Sequence, residues 1–386
     1  MLSLFDGMSC GAIALRQAGI KVRQYFASEI DRQAIRQTDH NFPATIQLGC
    51  VTGVHANDLP YIDLLIGGSP CQGFSFAGKQ LNFNDPRSKL FFEYVRILRE
   101  IQAYNPEVKF LLENVRMRKE YENIISRELG LFPKMINSAL VSAQNRARLY
   151  WTNIAVKQID NLFDHTVHTD IPLPTDRGIF LRDIVDEDVD SRFFLSEKEI
   201  DRLIKAREYD CKETPLFHES ELFDWYCDSY GADNSDTAFT GIGTATPESL
   251  CRNIYNRRIQ PPPEVSRVSF SAIQNNHLIQ NLSVNPDNTY VISGAIVSQQ
   301  FGGGFRPIMN GKGPCLLATS SNYAACLIVN GDDMVLRRLT PTECSRLQTI
   351  PEWYEWICSE TQIYRMLGNG WTVDVISHIF QYLSAG

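Results

Sequence analysis

Apolar residues in the first 150 positions fall into short unbroken runs, separated by stretches in which they recur at helical spacing. Leu2 to Phe5 reads as a buried strand, followed by a helix ending near Gly19; Tyr25 to Ser28 reads as a second strand, followed by a helix from Asp31. The same rhythm continues with a strand at Asp63 to Gly67, a helix from Leu90 to about Tyr104, a strand at Phe110 to Glu113 and a helix to Leu129. Strands around Ile136 to Val141 and Leu149 to Asn153 complete the series. Strands buried on both faces and joined by helices predict an α/β fold with a parallel or mostly parallel sheet.

After about Lys157 the alternation stops. Asp-rich, Pro-containing and Gly-containing stretches take over, among them Gln260-Pro261-Pro262-Pro263 and Gly302-Gly303-Gly304, and predict a second, irregular domain. Helical spacing returns at Tyr364 to Leu367 and Val373 to Leu383. The expected division is one domain formed by residues 1–157 together with 361–386, and another formed by 158–360.

Composition narrows the class without naming a function. With 44% hydrophobic and 21% charged residues, the chain holds no apolar run of the roughly 18 to 20 residues that a membrane helix requires. Asp6 interrupts the apolar opening and no basic stretch precedes it, which argues against a signal peptide. Ten cysteines without a CxxC pair or a regular framework suit free thiols in a reducing compartment, so a cytoplasmic protein is expected. His165 and His168 have metal-like spacing but no neighbouring Cys, and no metal is expected. The net charge of −8 is unevenly spread: Asp160 to Asp236 carries 21 Asp/Glu and 8 Lys/Arg, or −13, leaving 29 minus 24, or +5, elsewhere. The remainder is therefore compatible with a polyanionic partner.

Three motifs sit at strand ends, where α/β folds place their sites. The turn Phe5-Asp6-Gly7-Met8-Ser9-Cys10-Gly11 joins the first strand to the first helix, so backbone N–H groups face a ligand there. Glu29 closes the second strand, where a carboxylate accepts hydrogen bonds from ribose hydroxyls. Gly67-Gly68-Ser69-Pro70-Cys71-Gln72-Gly73-Phe74-Ser75 follows a buried strand and holds a thiol in a Gly/Ser/Pro loop. Arg146 and Arg148 alternate along a strand, so their side chains leave the same face and point into one site.

These segments, with Glu113-Asn114-Val115, Gln144-Asn145-Arg146-Ala147-Arg148, Arg338-Leu339-Thr340 through Arg346-Leu347-Gln348, and Leu367-Gly368-Asn369-Gly370-Trp371, resemble the DNA cytosine-5 methyltransferases. The opening and closing segments are most similar to the de novo branch of that family. The resemblance implies a Rossmann-like S-adenosylmethionine-dependent methyltransferase domain with a smaller, irregular target-recognition domain. It also implies a stand-alone enzyme of bacterial or phage type acting on double-stranded DNA, inside the bacterial or phage-infected cell.

Carbon 5 of cytosine is a poor nucleophile until a group adds across the 5,6 bond, and covalent catalysis supplies that group. By resemblance Cys71 attacks carbon 6 as a thiolate. Glu113 holds the exocyclic amine and ring nitrogen 3 and donates a proton; the apolar approach Phe110-Leu111-Leu112 keeps water from it. Arg148 binds the carbonyl oxygen of the flipped base, and Arg146 supports the loop and thiol. The target must leave the helix stack, and Phe74 to Lys89, with Gln72, Ser75, Lys79 and Arg87, is the expected lid over DNA.

The same resemblance assigns Phe5, Asp6, Gly7, Cys10, Glu29, Ile30, Pro70, Leu90, Asn369 and Trp371 to the S-adenosylmethionine pocket, so the two chain ends meet. Two departures stand out. Ser9 replaces a glycine common in the family, and Cys50 stands where an aspartate usually meets the adenine amine, with Val51 left to pack against the ring. In the middle region Arg252, Arg257, Arg258, Arg267 and Arg306 are candidates for guanines or phosphates, while Arg338 and Glu343 fit structural roles. Two alternatives stay open: an RNA cytosine-5 methyltransferase on the same scaffold, and a catalytically inactive DNA-binding relative. A cognate restriction endonuclease would leave no trace in this sequence.

Overall fold

A computed structural model describes residues 1–70, 89–161, 164–186, 189–193, 290–297, 304–308, 312–313, 315–318, 325–330 and 333–384. The chain forms two compact units: Met1–Val141, Ala147–Arg177 and Gln348–Gly386 make the first, and Ser142–Arg146 with Gly178–Leu347 the second.

The first unit is built on β1 (Leu2–Leu4), β2 (Phe26–Ser28), β3 (Ile46–Gln47), β4 (Leu64–Gly68), β5 (Lys109–Val115), β6 (Lys134–Asn137) and β7 (Ala147–Thr152). Their order in the sheet is β3-β2-β1-β4-β5-β7-β6. All neighbours from β3 to β5 pair in parallel, and β7 runs antiparallel to β5 and β6. The sheet is thus mostly parallel, as the unbroken apolar runs require. Its connections are α1 (Cys10–Gln17), α2 (Arg32–Asn41), α3 (Lys89–Tyr104) and α4 (Lys119–Leu129). Asp31 starts α2 by accepting the backbone N–H of Gln33 at 2.9 Å, the N-cap that releases the chain from β2. Strand residues Leu2, Leu4, Leu65, Phe110 and Leu112 and helix residues Phe91, Tyr94, Val95 and Leu98 share one apolar core.

Two elements differ from the sequence pattern. Only Lys134–Asn137 of the Ile136–Val141 run is strand; Ser138–Leu140 turns into a 3-10 helix because the Asn137 side chain accepts Ala139 N–H at 3.0 Å. Past Lys157 the chain is not irregular at once, for β8 (Val156–Asn161) and β9 (Asp164–Thr169) form an antiparallel hairpin.

Chain ends close on each other within this unit. The last helices are α6 (Glu360–Asn369) and α7 (Val373–Phe380), and Gln17 of α1 donates to Asp374 of α7 at 2.6 Å. Arg365 pairs with Asp31 at 3.3 Å, and the Tyr354 hydroxyl donates to the Met8 carbonyl at 2.9 Å. Residues 348–360 belong to this unit for the same reason: Gln348, fully buried, donates to the Leu367 carbonyl at 2.6 Å and accepts the Thr372 hydroxyl at 2.8 Å.

The second unit contains a four-stranded antiparallel sheet, β11-β10-β12-β13, made of β10 (Tyr290–Val297), β11 (Gly304–Ile308), β12 (Ala325–Asn330) and β13 (Asp333–Arg338). β13 leads into helix α5 (Pro341–Leu347). Buried Glu343 accepts the N–H of Thr340 at 2.7 Å while the Thr340 hydroxyl accepts the N–H of Glu343 at 3.2 Å, a reciprocal cap; its second oxygen takes the N–H of Asp186 at 2.7 Å. Arg346 of the same helix binds the Ile184 carbonyl and the Asp186 carboxylate. These bonds give Glu343 a structural role.

Candidate active site

At the carboxyl end of β1 the backbone enters the left-handed region three times in five residues, at Phe5 (φ 57°), Gly7 (φ 58°) and Ser9 (φ 63°). For a non-glycine residue each such conformation costs roughly 1–3 kcal/mol and persists only where surrounding contacts enforce it. The contacts are visible. Glu29, at the end of β2, accepts Gly7 N–H on one carboxylate oxygen at 2.8 Å, and the N–H groups of Ile30 and Asp31 on the other at 2.7 and 2.8 Å. Beneath the turn, Asp6 accepts the Tyr25 hydroxyl at 2.6 Å and the Ser9 hydroxyl, and Ser9 also meets Thr38 at 3.0 Å. Ser9, the departure from the family glycine, is thus a fully buried hydroxyl in a network. Desolvation lifts the Asp6 carboxyl from its ordinary 3.8 to about 6, against the opposing hydrogen bonds of Ser3, Ser9 and Tyr25.

This corner has the features a nucleoside needs. A Cβ placed on Gly7 would meet no atom within 4 Å, so the turn faces open space. Ile30 is 72% exposed in a fold that buries most of its aliphatic residues, leaving an apolar surface for a ring beside Glu29. Three N–H groups occupy three of the roughly four acceptor positions of the Glu29 carboxylate, which leaves one for a hydroxyl. Val51 is buried and Cys50 exposed beside it. The Cys50 thiol accepts or donates to the Thr52 hydroxyl at 3.2 Å, and that bond draws its pKa below the ordinary thiol range. The Val51–Asp58 segment is clamped from α3: Arg96 donates to the Val54 carbonyl at 2.8 Å and Glu100 accepts Ala56 N–H at 2.8 Å.

The second cluster lies at the carboxyl ends of β4 and β5. Gly68 pairs in register with Glu113, and Val115 with Arg148 on β7. Glu113 is buried, 8% exposed, and both of its oxygens are engaged: Oε1 lies 3.1 Å from Nε of Arg148, and Oε2 accepts the indole N–H of Trp371 at 3.1 Å. Next to it Asn114 donates to the Ser69 hydroxyl at 3.1 Å, tying β5 to the end of β4 just before Pro70. Leu90 is in the first turn of α3, Asn369 is the last residue of α6, and Trp371 follows its cap residue Gly370.

The sequence-predicted residues thus gather in part. Phe5, Asp6, Gly7, Glu29 and Ile30 form the first cluster, and Glu113, Arg148 and Trp371 the second. Arg146 requires a correction. β7 begins only at Ala147, so Arg146 and Arg148 do not alternate on one strand: residues 143–145 instead pair with Gly313, through Asn145 N–H to the Gly313 carbonyl at 2.9 Å. Arg146 is buried within the second unit, donating to the Leu316 carbonyl at 3.1 Å and to the Cys315 sulfur at 3.3 Å. Cys71, Gln72, Ser75, Lys79 and Arg87 lie outside the described residues, as do Arg252, Arg257, Arg258 and Arg267; Arg306 is on β11, opposite Ala295. His165 pairs with Asp160 at 2.8 Å and His168 stacks on Phe132. Among the described residues no group of His, Cys, Asp or Glu is arranged to hold a metal ion, and no helix is long and apolar enough to cross a membrane. Three residues named in the sequence motifs carried no assigned role there: Tyr25, whose hydroxyl donates to Asp6, Asn114 as the tie to Ser69, and Gly68 beside the Glu113–Trp371 bond.

The chain is similar to known proteins in sequence and in fold. The model of the C-5 cytosine-specific DNA methylases matches residues 1–385. The Type II methyltransferase M1.ScrFI of Lactococcus lactis subsp. cremoris is 35% identical over 209 residues, 51% of this chain and 51% of that protein, so the chain spans about half the length of that relative. The orphan methyltransferase M.SPRI of Bacillus phage SPR is 27% identical over 450 aligned positions, covering 99% of this chain and 97% of that one. In fold, the chain is similar to the methyltransferase EhMeth of Entamoeba histolytica, with a TM-score of 0.57 at 14% identity over 100% of this chain and 97% of that one. With a family match along residues 1–385, the chain belongs to the C-5 cytosine-specific DNA methylases.

Proposed function

We propose that the chain takes a cytosine out of double-stranded DNA into the Glu113–Arg148 site and methylates its carbon 5 by way of a covalent bond to Cys71. The observation that carries this is the buried Glu113 carboxyl, fixed on both oxygens at the end of β5. Asn114 meanwhile ties Ser69, two residues before Cys71, to the same strand end. A carboxyl so fixed meets an amine and a ring nitrogen with little reorganisation. Cys71 adds to carbon 6 as a thiolate; Glu113, which takes up a proton as the base enters, gives it to nitrogen 3 and accepts a bond from the exocyclic amine, and Arg148 donates to the carbonyl oxygen at carbon 2. Transfer leaves S-adenosylhomocysteine; the carbon-5 proton then passes to solvent water, which restores the 5,6 double bond and expels the thiolate, and nitrogen 3 returns its proton to Glu113.

S-adenosylmethionine supplies the electrophilic methyl group. The residues present fit it: Glu29 has an acceptor position left for a ribose hydroxyl, Ile30 offers an apolar face, and Gly7 leaves the turn open. Phe5, Asp6, Cys10, Cys50, Val51, Pro70, Leu90, Asn369 and Trp371 complete the proposed pocket. The second unit, with Arg252, Arg257, Arg258 and Arg306, reads the target sequence, and Gln72, Ser75, Lys79 and Arg87 close over the strand. Arg146 acts through its own unit.

The test is transfer of tritiated methyl groups from S-adenosylmethionine to duplex DNA and to RNA by wild type and Cys71→Ser, followed by bisulfite sequencing. Cysteine-dependent 5-methylcytosine at a defined DNA sequence is expected. Label in RNA alone, or label unchanged by the substitution, overturns the proposal.

A further inference from the structure

Trp371 sits on the segment between α6 and α7 and is 258 positions from Glu113 in sequence, yet its indole N–H ends 3.1 Å from Oε2 of that carboxylate. The backbone around it is rigidly tied. Gln348 donates to the carbonyls of Leu367 at 2.6 Å and Gly370 at 3.2 Å, and accepts the Thr372 hydroxyl at 2.8 Å. Thr372 in turn accepts the Ser138 hydroxyl at 2.8 Å. The ring is therefore delivered by a network that does not involve the carboxylate it meets.

A second observation comes from the neighbouring strand. Gly68 lies opposite Glu113 in the β4–β5 register. A Cβ built on it would fall 3.0 Å from the Trp371 indole nitrogen and 3.2 Å from Oε2 of Glu113. Both separations are tighter than ordinary carbon contacts, so a methyl group there would push the two atoms by a few tenths of an ångström.

We infer that Trp371 is a positioning residue for Glu113: its N–H fixes Oε2 while Arg148 fixes Oε1, and Gly68 provides the room. The carboxyl has two torsions beyond Cβ that a single ion pair leaves partly free. The indole bond selects one orientation and leaves the remaining lone pairs aimed at the edge of the base. This rests on the proposed role of Glu113 and separates Trp371 from a residue that only lines the cofactor pocket.

The experiment compares wild type, Trp371→Phe and Gly68→Ala in single-turnover methylation of duplex DNA, with equilibrium binding of S-adenosylhomocysteine measured in parallel. Trp371→Phe keeps the ring and removes the donor. Loss of a hydrogen bond to a charged group predicts a transfer rate lower by roughly tenfold or more, with S-adenosylhomocysteine affinity within about twofold. Gly68→Ala leaves all three side chains chemically intact and shifts the pair, so it is expected to lower the rate in the same direction. In a Glu113→Gln background the residual rate should be insensitive to Trp371→Phe. Weakened cofactor binding with an unchanged single-turnover rate at saturating cofactor overturns the inference in favour of a pocket-lining role, and so does an unchanged rate with unchanged binding. The parent reading is tested separately by Glu113→Gln alone, whose full activity would remove the role that Trp371 serves.

Discussion

Replacing Arg148 with Met removes one partner of a charged pair whose side chains are only 13% and 11% exposed, at an Nε–Oε1 distance of 3.1 Å. The methionine keeps most of the apolar length of the side chain, so lost packing is small and the electrostatic change dominates. Leaving a buried charge without its counter-ion typically costs 3–5 kcal/mol. Glu113 keeps the Trp371 N–H on its other oxygen, which places the expected loss at the lower end, about 3 kcal/mol. The assay is equilibrium urea unfolding of wild type, Arg148→Met, Glu113→Gln and the double variant. Because the Gln side chain carries no charge to strand, the double variant should recover much of the loss, giving a coupling energy of about 2 kcal/mol. Additivity within about 0.5 kcal/mol, or a loss under about 1 kcal/mol for Arg148→Met, would show that the pair does not hold the carboxylate and would refute the reasoning.

Three further outcomes are expected. The Asp6 carboxyl titrates near 6 when folded against an ordinary 3.8, so the folded state keeps the extra proton over that interval. Its stabilising contribution is full below about pH 4 and is lost as pH rises through about 6, a change of roughly 3 kcal/mol. The stability of wild type minus that of Asp6→Asn should therefore fall from pH 4 to pH 7, and a flat difference contradicts the assigned burial. Asn114→Ala strips the buried Ser69 hydroxyl of its donor and should lower the methylation rate roughly tenfold at a stability cost of about 1–3 kcal/mol, with cofactor affinity unchanged. Glu29→Ala removes the acceptor of three backbone N–H groups and is expected to weaken S-adenosylhomocysteine binding by at least about tenfold in equilibrium titration.

How far these features were legible in the sequence depended on their range. β1, β4 and β5 are buried on both faces, so their unbroken apolar runs stand out, and Asp31 announces α2 through its cap. β3 is two residues long and leaves no pattern, while the β8–β9 hairpin is largely polar and reads as loop. The apolar runs of β10 and β12 lie among Gly- and Pro-rich segments, whose turn signals mask an antiparallel sheet. Glu29, Glu113 and Arg148 were visible as residue types at strand ends. Spacing misled at Arg146, because a strand's starting residue depends on what pairs with the segment before it, here Gly313. The Trp371–Glu113 bond had no local signal, since it joins segments 258 residues apart.

The proposed reaction turns on a covalent bond between Cys71 and carbon 6 of a cytosine held by Glu113 and Arg148. Fluorine at carbon 5 cannot leave as the proton does, so the step that releases the thiolate is blocked after methyl transfer. The direct measurement is incubation of the enzyme and S-adenosylmethionine with duplex DNA containing 5-fluorocytosine, followed by denaturing electrophoresis and mass mapping of the attached residue. A DNA-linked species joined through Cys71 is expected in wild type and is expected to be absent in Cys71→Ser. Methylation of normal DNA without any trapped complex, or a complex joined through another cysteine, would contradict it.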